Sequence, residues 1–288
     1  MDADLDTLCT VIYCTADDLL PSPRRNARRL VTDAEVVTLC VAQAIMGIPS
    51  DRRFLATARR RLIHLFPKLP GQAGYFKRRR RLADTIEWLM AHFAQQSPGF
   101  SDGLLLIDST PVPCAASRET VKRSALGELA GYGYCASHSR YFWGFRLHAL
   151  CAPDGTPRAL ELASPKRDER EVGLELLGRG ARGGEVLVCD KGYAGRAFAA
   201  GAAELGVTVA RPARRDEPGR GPHLAPISQR IESIFWTCKD VLTLERHGAS
   251  TMAGLRERVL ARLLCLAACI SLNHRLGRPS RALVDYCA

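Results

Sequence analysis

The chain is 288 residues long and 47% hydrophobic, with a formal net charge of +11 and a pI of about 9.3. This apolar content suffices for the core of one large domain or two moderate ones, and the positive balance points to a polyanionic partner such as nucleic acid. Arg or polar residues break every apolar stretch well short of the ~18 positions of a membrane span, and no signal-peptide pattern is seen, so a soluble cytoplasmic protein is expected.

Over residues 1–100 the apolar positions recur with helical spacing and without strand alternation, as in AEVVTLCVAQAIMG from Ala34 and LADTIEWLMAHFAQQ from Leu82. Thr32 or Asp33 is placed to cap the first of these helices, and Ser97, Pro98 and Gly99 end the second. Residues 24–81 carry fifteen Lys or Arg against three acids, from Arg24 through Arg59, Arg60 and Arg61 to the run Lys77, Arg78, Arg79, Arg80, Arg81. Such clusters exceed what solubility requires, so this all-helical region is expected to contact DNA phosphates, with a set of solvated helix faces as the bland alternative. No diagnostic helix-turn-helix sequence is present, and no helix is assigned to reading bases.

After Gly103 short apolar runs alternate with Gly, Pro and charged residues, which sets a domain boundary near residue 100. LLLID at 104–108 and VLVCD at 186–190 read as strands buried on both faces, and YFWGFRLHALCAPDGTPRALELA from Tyr141 as a hairpin turning at Pro153, Asp154 and Gly155. Helices are expected over 169–179 and 196–205, a short strand at VTVA from Val207, a loop over 212–226, and helices over about 227–245 and 252–275. Residues 101–288 are therefore expected to form an α/β domain with one mixed β-sheet flanked by helices. The 11 cysteines run from Cys9 to Cys287 without a C-x-x-C pair and read as reduced thiols, with Cys265 and Cys269 in the core.

LLLID and VLVCD each lead four apolar residues into an aspartate, placing Asp108 and Asp190 at the carboxyl ends of buried strands, where α/β sheets build their sites. On parallel neighbouring strands the two carboxylates converge, and a divalent cation relieves their repulsion. ISQRIESIFWTCKD from Ile227 offers Glu232 on an amphipathic helix, with Lys239 two turns, about 10.5 Å, further along roughly the same face to hold a phosphate. Carboxylates suit Mg²⁺ or Mn²⁺, and two such ions can activate an attacking oxygen and stabilise a leaving oxygen at a phosphodiester. Singly, each acid also reads as a turn cap or a solvated helical Glu. Asp168 competes among the acids, but its loop setting makes it a support behind the ligands; His148 is either a structural hydrogen-bonder at the sheet edge or a catalytic contact. Arg146 and Tyr193 are candidate DNA contacts, Trp143 and Phe142 are read as core, and Lys122, Arg123, His138 and Arg140 as either DNA contacts or a solvated loop.

Five segments, IDSTPVP around Asp108, GYCASHSRYFWGFRLHAL at 133–150, LASPKRDEREV at 162–172, DKGYAG from Asp190 and RIESIF with Lys239 around Glu232, match a family in order and spacing. They resemble the bacterial insertion-sequence DDE transposases of the insertion sequence 4-like superfamily, which have a ribonuclease-H-like catalytic core, and within it the insertion sequence 982 family. The resemblance implies Asp108, Asp190 and Glu232 as catalytic metal ligands and Mg²⁺ as cofactor. It also implies cleavage at element ends, attack of the freed 3′-hydroxyl on target DNA, and a homodimer when two ends are paired. The partner is then double-stranded DNA, both the terminal inverted repeats and the target, met on the bacterial nucleoid. In related insertion sequence 4 transposases a Tyr and an Arg precede the Glu at spacings that fall here on Ala225 and Ser228, leaving Arg230 as the substitute for the Arg. A metal-dependent nuclease that does not join strands, and a catalytically silent DNA-binding relative, stay open as alternatives.

Overall fold

A computed structural model describes residues 3–21, 30–135, 139–213 and 224–287. Arg24, His138 and most of the 212–226 loop lie outside them, as do the side chains of Ala225 and Ser228. The chain divides into two units, residues 1–93 with 237–288 and residues 94–236. Among the described residues no helix is long and apolar enough to cross a membrane, and all eleven cysteines are free thiols.

The first unit is helical. It contains α1 (Ala3–Leu19), α2 (Asp33–Ile45), α3 (Asp51–Arg61), α4 (Gln72–Arg81), most of α5 (Ala83–Gln95), the last turn of α9 (Ala225–Asp240) and α10 (Met252–Arg275). Thr32 caps α2 in a capping box: its side chain accepts from the Glu35 amide at 3.1 Å while the Glu35 carboxylate accepts from the Thr32 amide. Residues 237–288, expected to close the second domain, group instead with the N-terminal helices. The physical reason lies in α10, which is buried from Leu255 to Asn273 and brings charged groups to partners on the early helices. Arg79 of α4 pairs with Asp51 of α3 at 2.7 Å and with Glu257 of α10 at 2.8 Å, and Arg258 pairs with Asp51 at 2.9 Å. Gln43 of α2 donates to Asp51 at 3.1 Å and accepts from Arg79 and from the Tyr75 hydroxyl, each at 2.9 Å. Breaking one member of such a buried network strands the others at a cost of roughly 3–5 kcal/mol.

The second unit carries a six-stranded mixed sheet in the order β2-β3-β1-β5-β6, with β4 also paired to β3. Its strands are β1 (Leu104–Ala115), β2 (Gly131–Cys135), β3 (Arg140–Cys151), β4 (Pro157–Ala163), β5 (Val186–Val188) and β6 (Thr208–Ala210). α6 (Arg118–Lys122), α7 (Glu169–Gly180) and α8 (Arg196–Glu204) connect them. β1 runs well past LLLID because it pairs antiparallel with β3 from Leu106 to Ala115, whereas on its other edge it pairs parallel with β5 only over Leu104–Leu106. Pro111 and Pro113 lie beyond that short parallel stretch, where a missing N–H costs no ladder bond on the β5 side. Alternation places Leu105 and Ile107 of β1, Leu150 of β3, Ala159 of β4 and Leu187 of β5 in one core. The amphipathic α7 and α8 cover it with Val172, Leu176, Leu177, Phe198 and Ala202. Each fully buried Leu, Val or Phe contributes about 1.5–3 kcal/mol, so the strand ends behind this core are rigidly held. β2 was not expected from the sequence. Its Gly-Tyr alternation gives no apolar face, and the strand exists by pairing with β3 from Gly131↔Gly144 to Cys135↔Arg140.

Candidate active site

Asp108 and Asp190 stand at the same level of two parallel neighbours, each two residues past the last paired residues, Leu106 and Val188. β5 stops at Val188 because Asp190 turns the chain: its side chain accepts from the Gly192 amide at 2.7 Å and caps a short 3-10 turn at Lys191–Tyr193. One Asp108 oxygen accepts from the Ser109 amide at 2.7 Å. Burial pushes the Asp108 carboxyl up to about 7, against the pull of that amide, and the charges of Asp190, Glu169 and Glu232 push the same way. Three carboxylates therefore bear on Asp108. Glu232 is exposed on α9, whose other face buries Ile231, Ile234 and Phe235.

Glu169, in the first turn of α7, is a site residue that sequence reasoning missed. Its carboxylate accepts from Ser109 Oγ at 3.1 Å and pairs with Arg146 at 3.0 Å. Arg146 also donates to Ser109 Oγ at 2.9 Å and, through its other nitrogen, to the Tyr134 carbonyl at 2.8 Å. Gly192 lies between two of the acids; a Cβ there would stand 2.9 Å from Asp190 Oδ1 and 3.3 Å from Glu169 Oε2. The neighbouring Asp168 is instead the N-cap of α7, accepting from the Arg170 amide at 2.8 Å, and the Arg170 side chain holds it down at a pKa of about 2. The signal for Glu169 was present: an N-cap aspartate is committed to its own helix end, so the next acid is the one free to face the sheet.

Several expected roles change. Tyr193 is buried, with its hydroxyl unpartnered and its ring 5.4 Å from that of Phe198, so it packs beneath the site and does not reach DNA. His148 is fully buried, and burial with the charges of Arg146 and Arg167 lowers it to about 4, so it is a neutral ring with neither nitrogen hydrogen-bonded. That removes the expected hydrogen bond. Arg146 is held by Glu169, Ser109 and Tyr134, which makes it a strut of the site before it is a DNA contact. Phe142 and Trp143 are core, whereas Tyr132, Tyr134 and Tyr141 are exposed around the β2–β3 hairpin, with the last two rings 5.0 Å apart.

Of the basic residues, Arg59, Arg60, Arg61 and Lys77 are exposed and Arg230 lies on the exposed face of α9. Arg79 is buried in the ionic network and out of reach of phosphate, whereas Arg78 is part-buried and bound to the Val31 carbonyl at 2.7 Å and to Asp33. The helical phase carries this information, since Tyr75 and Arg79 are one turn apart on the stripe that faces the core. Lys239 is half-buried, 3.7 Å from Glu245.

Among the described residues no three His, Cys, Asp or Glu side chains stand close enough to hold one ion as they are placed. The donor chemistry does fit a hard divalent cation: Asp108, Asp190 and Glu232 are all carboxylates, none has an ion-pair partner among the described residues, and Asp190 and Glu232 are exposed, Asp190 with only one oxygen engaged by the Gly192 amide. A family model described as the transposase DDE domain matches residues 99–268. No curated protein and no solved structure matches the chain.

Proposed function

The chain belongs to the transposase DDE domain family, and from that premise we propose that it cleaves DNA at the ends of a mobile element and joins the freed ends to target DNA, with Asp108, Asp190 and Glu232 as the catalytic metal ligands. The family points to a polynucleotidyl-transferase-type enzyme acting on DNA and generally uses divalent metal ions. The observation that carries the residue assignment is the parallel β1–β5 register, which sets Asp108 and Asp190 side by side. The antiparallel β1, β3 and β4 followed by the parallel β5 and β6 support a ribonuclease-H-like sheet, and the five matched segments support the insertion sequence 982 family.

In the proposed reaction water attacks the phosphodiester at the element end and the bond to the 3′-oxygen breaks, leaving a 3′-hydroxyl. That hydroxyl then attacks a target phosphodiester, forming the new bond as the target's own 3′-oxygen leaves. Mg²⁺ or Mn²⁺, two ions in this reading, supplies the positive charge that activates the attacking oxygen and stabilises the leaving one. Arg146 and Ser109 keep Glu169 turned toward the acids, and in this reading the exposed Arg230 and, on leaving Glu245, Lys239 would each meet a phosphate. Pairing two ends calls for at least a homodimer.

The test is a joining assay with purified protein, Mg²⁺, a duplex bearing the element end and a target plasmid. The native chain is expected to give strand-transfer products; Asp190→Asn is expected to lose them by on the order of a thousand-fold while binding DNA as well or better. Hydrolysis without joining would establish the nuclease alternative, and undiminished cleavage by Asp190→Asn would reject the triad.

A further inference from the structure

We propose that α3 is the helix that reads base sequence in duplex DNA, with Arg52 and Arg53 at its first turn entering the major groove and Arg59 and Arg60 continuing the same face. The inference rests on the proposed function, which it deepens by naming the recognition element.

Helical phase comes first. At about 100° per residue, Arg52, Arg53, Ala56, Arg59 and Arg60 fall within an arc of roughly 120°, and all five are exposed. Phe54, Leu55 and Ala58 take the opposite, buried face. The exposed arc holds no acid, since the helix's single acid, Asp51, is buried and paired with Arg79 and Arg258. Among the described residues no carboxylate lies within ion-pair distance of Arg52, Arg53, Arg59 or Arg60, so four guanidinium groups stand unpaired on one stripe with small Ala56 at its centre. A helix of 11 residues, about 16 Å long, fits the major groove, and a small central residue lets its backbone approach the base edges. Arginine is suited to this task, because its fork matches the O6 and N7 acceptors of guanine.

Anchoring comes second. A helix that reads bases has to be held at a fixed angle, and α3 is held at its N-terminal end by buried charge. Asp51 accepts from Gln43 of α2, Arg79 of α4 and Arg258 of α10 at once. The short turn from α2 is fixed as well: it reverses at Gly47 (φ 63), Gln43 donates to the Ile48 carbonyl at 2.9 Å, and Arg258 donates to the Pro49 carbonyl at 2.7 Å. Helix, short turn and anchored second helix are the connection used by DNA-binding modules whose second helix enters the groove. A merely solvated arginine face needs none of this.

The experiment is selection of random duplexes by the full-length protein and by Arg52→Ala, Arg53→Ala, Arg59→Ala and Arg60→Ala, followed by titration of the selected sequence and a scrambled one. These exposed substitutions are expected to leave the circular dichroism melt of the chain unchanged. The native protein is expected to enrich a guanine-containing sequence. Arg52→Ala or Arg53→Ala is expected to weaken binding to it by about ten-fold or more, to relax choice at one or two positions, and to leave scrambled-DNA affinity within about three-fold. An enriched sequence that survives all four substitutions, or an equal loss on selected and scrambled duplexes, would overturn base reading by α3 while leaving the transposase reading intact. Failure of the native protein to bind any duplex would overturn both.

Discussion

Asp190 does two things with one carboxylate: it caps the turn that ends β5, through the Gly192 amide, and it faces the other acids across that turn. Gly192 is the residue that lets both happen. Gly192→Ala is expected to leave the melting temperature nearly unchanged, because the residue is exposed, but to push Asp190 or Glu169 aside and cut strand transfer on the order of ten- to a hundred-fold, as read in the joining assay. Glu169→Gln is expected to lower turnover by a similar factor at unchanged DNA affinity, since Arg146 loses its charge partner but the exposed arginines of the helical unit, the proposed DNA contacts, are untouched. His148 predicts a pH effect on stability. Its folded pKa of about 4 lies below the usual 6.5, so the unfolded chain takes up the proton first. Stability from this group is complete above pH 6.5 and falls as pH drops toward 4, by about 3 kcal/mol at most; His148→Leu should flatten that slope in denaturant titrations. At this scale the two candidate aspartates were legible because a run of four apolar residues followed by Asp is a one-dimensional signal, but only Asp190 follows a strand end; Asp108 lies inside β1, which its pairing with β3 carries on to Ala115. The burial of Tyr193 was not legible, because it depends on which way a turn presents its residues to a sheet whose pairing the sequence does not spell out, and Glu169 could be reached only through the N-cap role of Asp168, which leaves the next acid free.

Among elements, α3 and α4 show how a run of arginines divides its labour. Lys77 is exposed and Arg79, two positions on, is buried between Asp51 and Glu257. Arg79→Met is expected to cost roughly 3–5 kcal/mol in thermal or denaturant unfolding, because two carboxylates lose their shared partner. Lys77→Ala is expected to leave the melt unchanged and instead to lower the slope of log affinity against log salt by about 0.9, the signature of one lost phosphate contact. Charge density alone marked this region as a nucleic-acid face. It could not separate Arg79 from its neighbours, and only the phase of Tyr75 and Arg79 on one stripe would have done so. The strands tell a similar story: β1, β3, β4, β5 and β6 announced themselves by apolar runs or alternation, whereas β2, built from Gly131, Tyr132, Gly133 and Tyr134, depends on its partner strand.

For the whole molecule, the helical unit is assembled from both parts of the chain, residues 1–93 and 237–288, with residues 94–236 forming the sheet unit between them in sequence. The division was hidden from the sequence because α10 is buried along most of its length and its apolar residues match any core; its charged residues identify the helices it serves, Glu257 and Arg258 by pairing with Arg79 and Asp51 and Arg256 by pairing with Asp84 and Glu87 of α5. A fragment of residues 1–100 is therefore expected to show weak, non-cooperative helical circular dichroism, since it lacks α10 and leaves Arg79 and Asp51 short of partners.

The same chain order sets a schedule during synthesis. A ribosome delivers the basic helices early and their closing helix, α10, late, with the entire sheet unit made in between. A nascent or prematurely terminated chain then carries the arginines of α3 without the Arg258 clamp that aims them, so a truncated product should not compete with the finished protein for its sequence.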